Sequence, residues 1–153
     1  MPAYNHILVA LDLTDEANQV LDRARDEAVR HGATISLIHV VKPIEQVYGG
    51  FGSIGMPGDL SGQMAGFERE ALKQAHTQLA QVGASAGVLA ERIHVQVGHA
   101  ASEIQRVADE VGADLIVLGT HGRHGLGLLL GSTANAVLHG VKHDVLAVRV
   151  KVR

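Results

Sequence analysis

Residues 6–41 read HILVALDLTDEANQVLDRARDEAVRHGATISLIHVV, and this stretch decides the fold class. It opens with a nearly continuous apolar run at residues 6–11, which is typical of a parallel strand covered on both faces. Apolar residues then recur at spacings of three and four over residues 14–31, which predicts a helix. A second apolar run occupies residues 34–41. The stretch therefore predicts a βαβ unit with a right-handed crossover.

The same two patterns continue along the rest of the chain. Thr14 is the predicted N-cap of the first helix, and Gly32 is its predicted stop. Further helices are predicted over residues 64–82, from a cap at Ser102 to about Val111, and over residues 133–139, and further strands over residues 91–97, 114–118 and 144–150. Five strands alternating with helices suit the doubly wound α/β class, a parallel sheet of order 3-2-1-4-5 with helices on both faces. The length of 153 residues predicts a single domain over residues 1–153.

Residues 42–62 do not fit this alternation. They carry Pro43, Pro57 and six glycines between Gly49 and Gly62. A segment this long and glycine-rich is unusual as a connector in a compact domain. We expect it to be a flexible lid or a disordered segment.

The composition excludes several classes of protein. The absence of Cys excludes a disulfide framework, a thiolate metal site and thiol catalysis, and it suits a reducing compartment. A net charge of −3 and an aromatic content of 3% argue against nucleic-acid binding and against a flavin sandwiched by aromatic rings. No leader pattern and no apolar run of membrane-spanning length occurs, so we expect a cytoplasmic protein without membrane insertion.

A glycine-rich connection follows the strand at residues 114–118. It begins Gly119-Thr120-His121-Gly122 and, after eight further residues, ends Gly131-Ser132-Thr133 at the start of a helix. Glycines allow close backbone approach, and a helix start offers N–H groups and hydroxyls, so the pattern predicts a phosphate cradle. The alternative is that the glycines only form turns and that Ser132 or Thr133 is an ordinary helix cap.

Asp12 follows the first strand directly. In the order 3-2-1-4-5 the first and fourth strands are neighbours whose connections leave to opposite faces, so Asp12 and Gly119 are expected side by side at the carboxyl edge. The Asp12 carboxylate can accept hydrogen bonds from a ribose or a nucleobase amino group, or hold Mg²⁺ through water. The alternative is that Asp12 only stabilises the turn before the helix.

Other phosphate-binding patterns of this fold class do not match. The turn at residues 11–16 has no glycine, which excludes a dinucleotide fingerprint. Gly131-Ser132-Thr133 lacks the lysine of a P-loop, so fast phosphoryl transfer is poorly supported. The third strand exits at Gly98-His99-Ala100 and has no Asp to accept a phosphoryl group, which excludes a receiver domain.

Asp12, the strand end Leu37-Ile38-His39-Val40 and the glycine-rich connection resemble the universal stress protein family, and the resemblance covers nearly the whole chain. It implies a Rossmann-like fold similar to the adenine nucleotide alpha hydrolases, a homodimer, and in one branch ATP bound by a Gly-x2-Gly-x9-Gly-Ser/Thr loop. The implied ATP-binding residues are Ala10, Asp12 and Val40 for adenosine, and Gly119, Gly122, Gly131, Ser132 and Thr133 for ribose and phosphates. The second interval here has eight residues where the ATP-binding pattern has nine.

Three hypotheses remain open at this point. The first is a cytoplasmic dimer that binds ATP with little or no hydrolysis. The second is a nucleotide-independent dimeric interaction protein of the branch that does not bind ATP. The third is a slow ATPase in which Asp12 and Mg²⁺ organise the attacking water. In each case the apolar edge strand Val145–Val150 is expected to pair with itself across a two-fold axis, because a bare edge invites uncontrolled pairing.

Overall fold

The computed structural model of the protein describes residues 3–43, 58–120, 132–139 and 142–151. The strands are β1 (His6–Ala10), β2 (Thr34–Val41), β3 (Ile93–Val97), β4 (Leu115–Gly119) and β5 (Asp144–Val148). The helices are α1 (Ala17–His31), α2 (Gly58–Ser85), α3 (Ala100–Val111) and α4 (Ser132–Leu138), and one turn of 3-10 helix at Ala90–Arg92 leads into β3. None of the helices seen in these ranges combines the length and the apolar character needed to cross a bilayer.

The five strands form one parallel sheet with the order β3-β2-β1-β4-β5, as the sequence predicts. Its centre is the pairing of β1 with β4, in which Val9 lies opposite Val117. On the other side of β1, Ala10 lies opposite Ile38 of β2. The two halves of the sheet are therefore joined along β1.

Two apolar clusters cover the two faces of the sheet. Alternate residues of β1 enter different clusters, with Val9 in one and Leu8 in the other. The first cluster includes residues of α1 and α2, and the second includes residues of α3 and α4. This division follows from the period of two along a strand, and it places α1 and α4 on opposite faces.

The first helix has the buried face that the sequence predicts. Its buried residues are Ala17, Val20, Leu21, Ala24 and Ala28. Gly32 ends it in the left-handed conformation and donates its N–H to the Ala28 carbonyl, so the predicted stop is confirmed. The predicted cap at Thr14 is wrong, because the N-cap residue is Glu16, which makes no side-chain capping bond. The Thr14 hydroxyl instead donates to the Asp12 carboxylate, 2.8 Å away.

The predicted cap at Ser102 is also wrong. α3 begins two residues earlier, and His99 in an extended conformation precedes it. The chain turns at Gly98, where φ is +153°, immediately after β3 ends, so the helix starts before Ser102 is reached.

The last strand is shorter than predicted and ends at Val148. Val150 lies beyond it and is buried in the cluster on the α1 side of the sheet. Beyond the strand ladder, the Val150 N–H donates to the Thr120 hydroxyl oxygen.

The second helix is longer than predicted at both ends. Residues 58–62, expected to belong to the lid, are its first residues, and residues 44–57 of that predicted lid lie outside the described ranges. Glycines in an exposed helix each cost only about 1 kcal/mol, which cooperative extension of a long helix offsets. Leu79, near its carboxyl end, is buried, whereas Phe67 is 65% exposed. A 28-residue helix is ~42 Å long and a five-residue strand only ~17 Å, so the amino-terminal half of α2 extends past the sheet.

Asp114 joins β1 and β4 at the amino end of the sheet. Its carboxylate accepts hydrogen bonds from the backbone N–H groups of Asn5, at 2.9 Å, and His6, at 3.0 Å. Its own N–H donates to the His6 carbonyl. Burial raises the pKa of Asp114, but the hydrogen bonds to its carboxylate, those from the Asn5 and His6 backbone first among them, together outweigh burial and leave its pKa below the usual value.

We expect Asp114→Asn to lower the free energy of unfolding by about 1–3 kcal/mol at neutral pH, because an amide has one acceptor oxygen and no charge. A pKa depressed in the folded state contributes stability above the unfolded pKa of about 3.9, and that contribution is lost as the pH falls through the folded value. The difference from the wild type should therefore shrink on acidification, measured by urea unfolding at about pH 7 and about pH 3. The exposed Asp15, changed to Asn, is the matched control. An equal difference at both pH values would contradict this role.

Candidate functional site

The carboxyl ends of β1, β2 and β4 meet at one edge of the sheet. Because Val9 lies opposite Val117, extending that register places Asp12 level with Thr120. Because Ala10 lies opposite Ile38, the same extension on the other side places Asp12 level with Val40. The connection after β1 leads to α1 on one face, and that after β4 leads to α4 on the other. The predicted switch point between the first and fourth strands is confirmed.

Two of the predicted residues form part of an apolar surface at this edge. Ala10 and Val40 are both half-buried, and both pack against the cluster on the α3 and α4 face. Leu118, at the same end of β4, belongs to that cluster and is 3% exposed. The surface can therefore contact a flat apolar group while its rim stays open to solvent.

Asp12 stands exposed beside this surface. Its Oδ1 accepts one hydrogen bond from the Thr14 N–H, at 3.2 Å, and one from the Thr14 hydroxyl, at 2.8 Å. These bonds form the turn that leads into α1, so the turn-stabilising role is observed. The ligand-binding role stays a prediction.

The turn around Asp12 has two features that sequence reasoning missed. Leu13 has φ of +59°, and among the described residues it alone of the non-glycines has a positive φ. This conformation costs about 1–2 kcal/mol for a residue with a side chain, and it is found where surrounding contacts enforce it. Nδ1 of the His39 imidazole, in β2, lies 2.7 Å from the Leu11 carbonyl oxygen. A leucine and a strand histidine carry no turn or ligand signal in a sequence.

The fourth strand supplies the other side of the edge. Gly119 is its last residue and lies opposite Val148 of β5. The next residue, Thr120, donates its N–H to the Val148 carbonyl at 2.8 Å and accepts the Val150 N–H on its hydroxyl at 3.3 Å. The start of the glycine-rich connection is therefore tied to the segment that follows β5.

The structure describes only some of the remaining predicted phosphate-binding residues. Ser132 and Thr133 are the first residues of α4, and Thr133 is half-buried. Ala134 and Val137 fix this short helix against the α3 side of the sheet. Gly122, Gly131 and the eight-residue interval between them lie outside the described residues.

A cavity of about 320 Å³ lies away from this edge. Its lining residues are Ser102, Gln105, Arg106, Asp109, Lys142 and His143, none of which is a predicted nucleotide residue. Arg106 is paired with Glu103 and Glu110, and Asp109 lies 3.0 Å from the His143 imidazole. Because the Arg106 guanidinium is already paired with two carboxylates and the Asp109 carboxylate would repel an anion, this cavity offers little to an anionic ligand.

The chain matches the sequence model of the universal stress protein family over residues 3–149. It belongs to this family. The universal stress protein described here is 40% identical over 149 residues to universal stress protein A homolog 1 of Coxiella burnetii, a match that covers 97% of this chain and 98% of that one.

Solved structures of the family share its architecture. The structure of the universal stress protein UspA from Lactobacillus plantarum gives a TM-score of 0.75 at 24% identity, covering 96% of this chain and 99% of that one. A universal stress protein crystallised in complex with cAMP gives a TM-score of 0.58 at 26% identity, covering 96% and 98%. The Rossmann-like fold implied by the sequence is therefore confirmed.

We expect Thr120→Val to lower the free energy of unfolding by about 1–2 kcal/mol, because the half-buried Val150 N–H loses its acceptor. Thr120→Ser, which keeps the hydroxyl, is the matched control and should retain most of the stability. Urea unfolding measures the free energy, and amide hydrogen exchange at Val150 should accelerate in the valine variant alone. Identical exchange in both variants would show that the hydroxyl does not hold this segment.

Proposed function

We propose that this universal stress protein is a cytoplasmic, single-domain dimer over residues 1–153 that binds ATP at the carboxyl edge between β1 and β4, with little or no hydrolysis. The observation that supports it most is the meeting of an exposed carboxylate, Asp12, with the apolar residues Ala10 and Val40 at one switch point. Open α/β sheets bind their ligands at such points.

The chemistry of this edge suits adenosine. The half-buried side chains of Ala10 and Val40 offer an apolar surface of the kind that a purine ring contacts. Asp12 accepts hydrogen bonds and cannot donate them when ionised, which suits the hydroxyls of ribose or the amino group of adenine. A hydrogen bond from a neutral donor to a carboxylate contributes about 1.5–3 kcal/mol, enough to orient a ligand but not to bind it alone.

The phosphates are assigned to the connection between β4 and α4. This connection starts at Gly119, beside the end of β1, and the family pattern assigns phosphate contacts to Gly122, Gly131, Ser132 and Thr133. A relative of known structure binds cAMP, whose adenine, ribose and phosphate are also parts of ATP. This relative supports adenine nucleotides as the ligand class.

Binding without turnover is favoured by the residues around the predicted phosphates. The Gly131-Ser132-Thr133 sequence has no lysine to reach terminal phosphates. Within the described residues, no three His, Cys, Asp or Glu side chains group closely enough to hold a metal ion. Mg²⁺ at Asp12 would then be held by water and by the ligand's own phosphates.

The eight-residue interval before Gly131 supports a second candidate, a dimeric interaction protein of the branch that does not bind ATP. One missing residue shifts the end of a loop by up to about 3.5 Å, which is enough to break a hydrogen bond. Ligand binding by the purified protein separates the two candidates.

We expect Asp12→Asn to weaken ATP and cAMP binding about tenfold or more, because the charged acceptor becomes neutral while Oδ1 still accepts from Thr14. Asp15→Asn removes the same charge from an exposed position three residues along and should leave both affinities unchanged. Isothermal titration with each nucleotide, with and without Mg²⁺, measures the effect. Wild-type protein that retains neither nucleotide at millimolar concentration would favour the nucleotide-independent candidate.

The dimer is assigned to the free edge of β5. In the described sheet, β5 pairs with β4 on one side only. Val145, Leu146 and Val148 are half-buried and form an apolar strand at that edge. A second copy pairing across a two-fold axis would satisfy the outer backbone groups and cover these side chains.

We expect Ala147→Pro to convert the dimer to a folded monomer. The Val148 carbonyl faces β4, where Thr120 donates to it, and successive residues of a strand face alternate sides, so the Ala147 N–H points to the open edge. Proline removes only that outward donor and is tolerated on an edge strand. Light scattering should give twice 16.1 kDa for the wild type and for the control Ala147→Ser, and 16.1 kDa for the proline variant. A monomeric wild type would rule out this interface.

A further inference from the structure

Leu11 follows the last residue of β1, and both its N–H and its carbonyl group are hydrogen-bonded to β2. The Leu11 N–H donates to the Ile38 carbonyl at 3.0 Å, which continues the strand ladder. The Leu11 carbonyl oxygen lies 2.7 Å from Nδ1 of His39. A carbonyl oxygen only accepts, so Nδ1 carries the proton and donates it. The carbonyl of Leu11, the last residue before Asp12, therefore accepts its hydrogen bond from a side chain of β2 and not from a backbone N–H.

This hydrogen bond lies at the base of the constrained turn. Leu11 is 4% exposed in the cluster on the α1 side, and Leu13, in the left-handed conformation, packs against the same cluster. Asp12 is exposed between these two anchored leucines. The backbone on both sides of Asp12 is therefore anchored, and its Oδ1 is held by the Thr14 N–H and hydroxyl. The register extended from β1 places Asp12 level with Val40 and Thr120.

We propose that His39 is a positioning residue of the nucleotide site, whose Nδ1–H fixes the Leu11 carbonyl and so orients the Asp12 carboxylate toward the ligand. This inference rests on the proposed function, because it is Asp12 that contacts the nucleotide. His39 itself touches no ligand in this scheme. It acts through the backbone that follows β1. Fixing the Leu11 carbonyl limits the backbone of Asp12 and of the left-handed Leu13, and so the position of the turn in which Thr14 bonds Asp12.

The location of His39 argues for this role over that of an ordinary strand residue. It lies in β2 directly before Val40, the predicted adenosine contact, and its partner Leu11 lies directly before Asp12. Together with the Leu11 N–H bond to the Ile38 carbonyl, this hydrogen bond sets the spacing between the two strand ends that carry the site. Apolar side chains would fill the same strand position, but they have no N–H with which to hold the carbonyl.

The test compares His39→Phe, which keeps a ring and loses the donor, with His39→Asn, whose amide nitrogen stands at the same distance from the backbone as Nδ1. His94→Phe makes the same exchange of rings in β3 and is the matched control. The first measurement is amide hydrogen exchange at Thr14, whose N–H donates to Asp12. We expect about three- to tenfold faster exchange in His39→Phe, the range that the net free energy of one hydrogen bond gives, and near wild-type rates in the other two variants.

The second measurement is a double-mutant cycle in nucleotide affinity. His39→Phe should weaken ATP binding about three- to tenfold in the wild type and change it less than about twofold in an Asp12→Ala background, because its effect passes through Asp12. Equal losses in both backgrounds, or unchanged Thr14 exchange, would overturn the proposal. Should His39→Phe fail to fold, His39→Leu replaces it with the same expectations.

The two measurements also separate this inference from the proposed function. A wild-type protein that binds no nucleotide would refute nucleotide binding and, with it, the ligand part of the positioning role. Thr14 exchange would then still decide whether His39 holds the turn. Wild-type binding combined with independent effects of His39 and Asp12 would overturn the positioning role alone.

Discussion

The pairing of β1 with β4 is the interaction on which the rest of this structure depends. Ile7, Leu8 and Val9 are fully buried, as are Ile116 and Val117 of the neighbouring strand. The register of strands buried on both faces is strongly specified, since a slip of one residue would move every side chain into the wrong cluster. The register therefore fixes which residues reach the carboxyl edge together, and with it the composition of the candidate site.

Side chains reinforce this pairing at both ends. At the amino end the Asp114 carboxylate accepts the N–H groups of Asn5 and His6, at the start of β1. At the carboxyl end the chains diverge, and polar side chains replace the ladder: His39 holds Leu11, and Thr120 holds the segment after β5. Because of these side-chain hydrogen bonds, the two connections can leave adjacent strand ends toward opposite faces while the backbone N–H and C=O groups there keep hydrogen-bond partners. An opening at the carboxyl edge is thus a direct consequence of doubly wound topology.

The sequence predicted those parts of the fold that depend on apolar periodicity. The bounds of β2 and the buried face of α1 match the prediction, because burial alone sets them. The caps at Thr14 and Ser102 were wrong for different reasons. The Thr14 hydroxyl bonds the Asp12 carboxylate instead of a helix N–H, and α3 has already begun at Ala100 when the chain reaches Ser102. The length of α2 also escaped prediction, since none of residues 62–71 is fully buried and a pattern of buried apolar residues cannot show that the helix continues there.

The residues of the candidate site also fall into a part that the sequence predicts and a part that it does not. That Asp12, Val40 and the end of β4 reach one edge follows from strand order alone, which the alternation of elements predicts. The left-handed Leu13 and the donor His39 depend on tertiary contacts between strands, and no local pattern encodes them. Sequence reasoning therefore predicted which residues share the carboxyl edge better than which residues hold them in place.

The two roles considered for Asp12 are compatible once the geometry is known. An ionised carboxylate offers about four acceptor positions on two oxygens, and both hydrogen bonds from Thr14 go to Oδ1. Forming the turn therefore leaves acceptor capacity for a ribose or an amino group. It also fixes the carboxylate before the ligand arrives, so less conformational entropy is lost on binding. A turn residue that is exposed, charged and already immobilised is better suited to bind a ligand than a freely rotating one, and the structural role of Asp12 strengthens the case for its functional role.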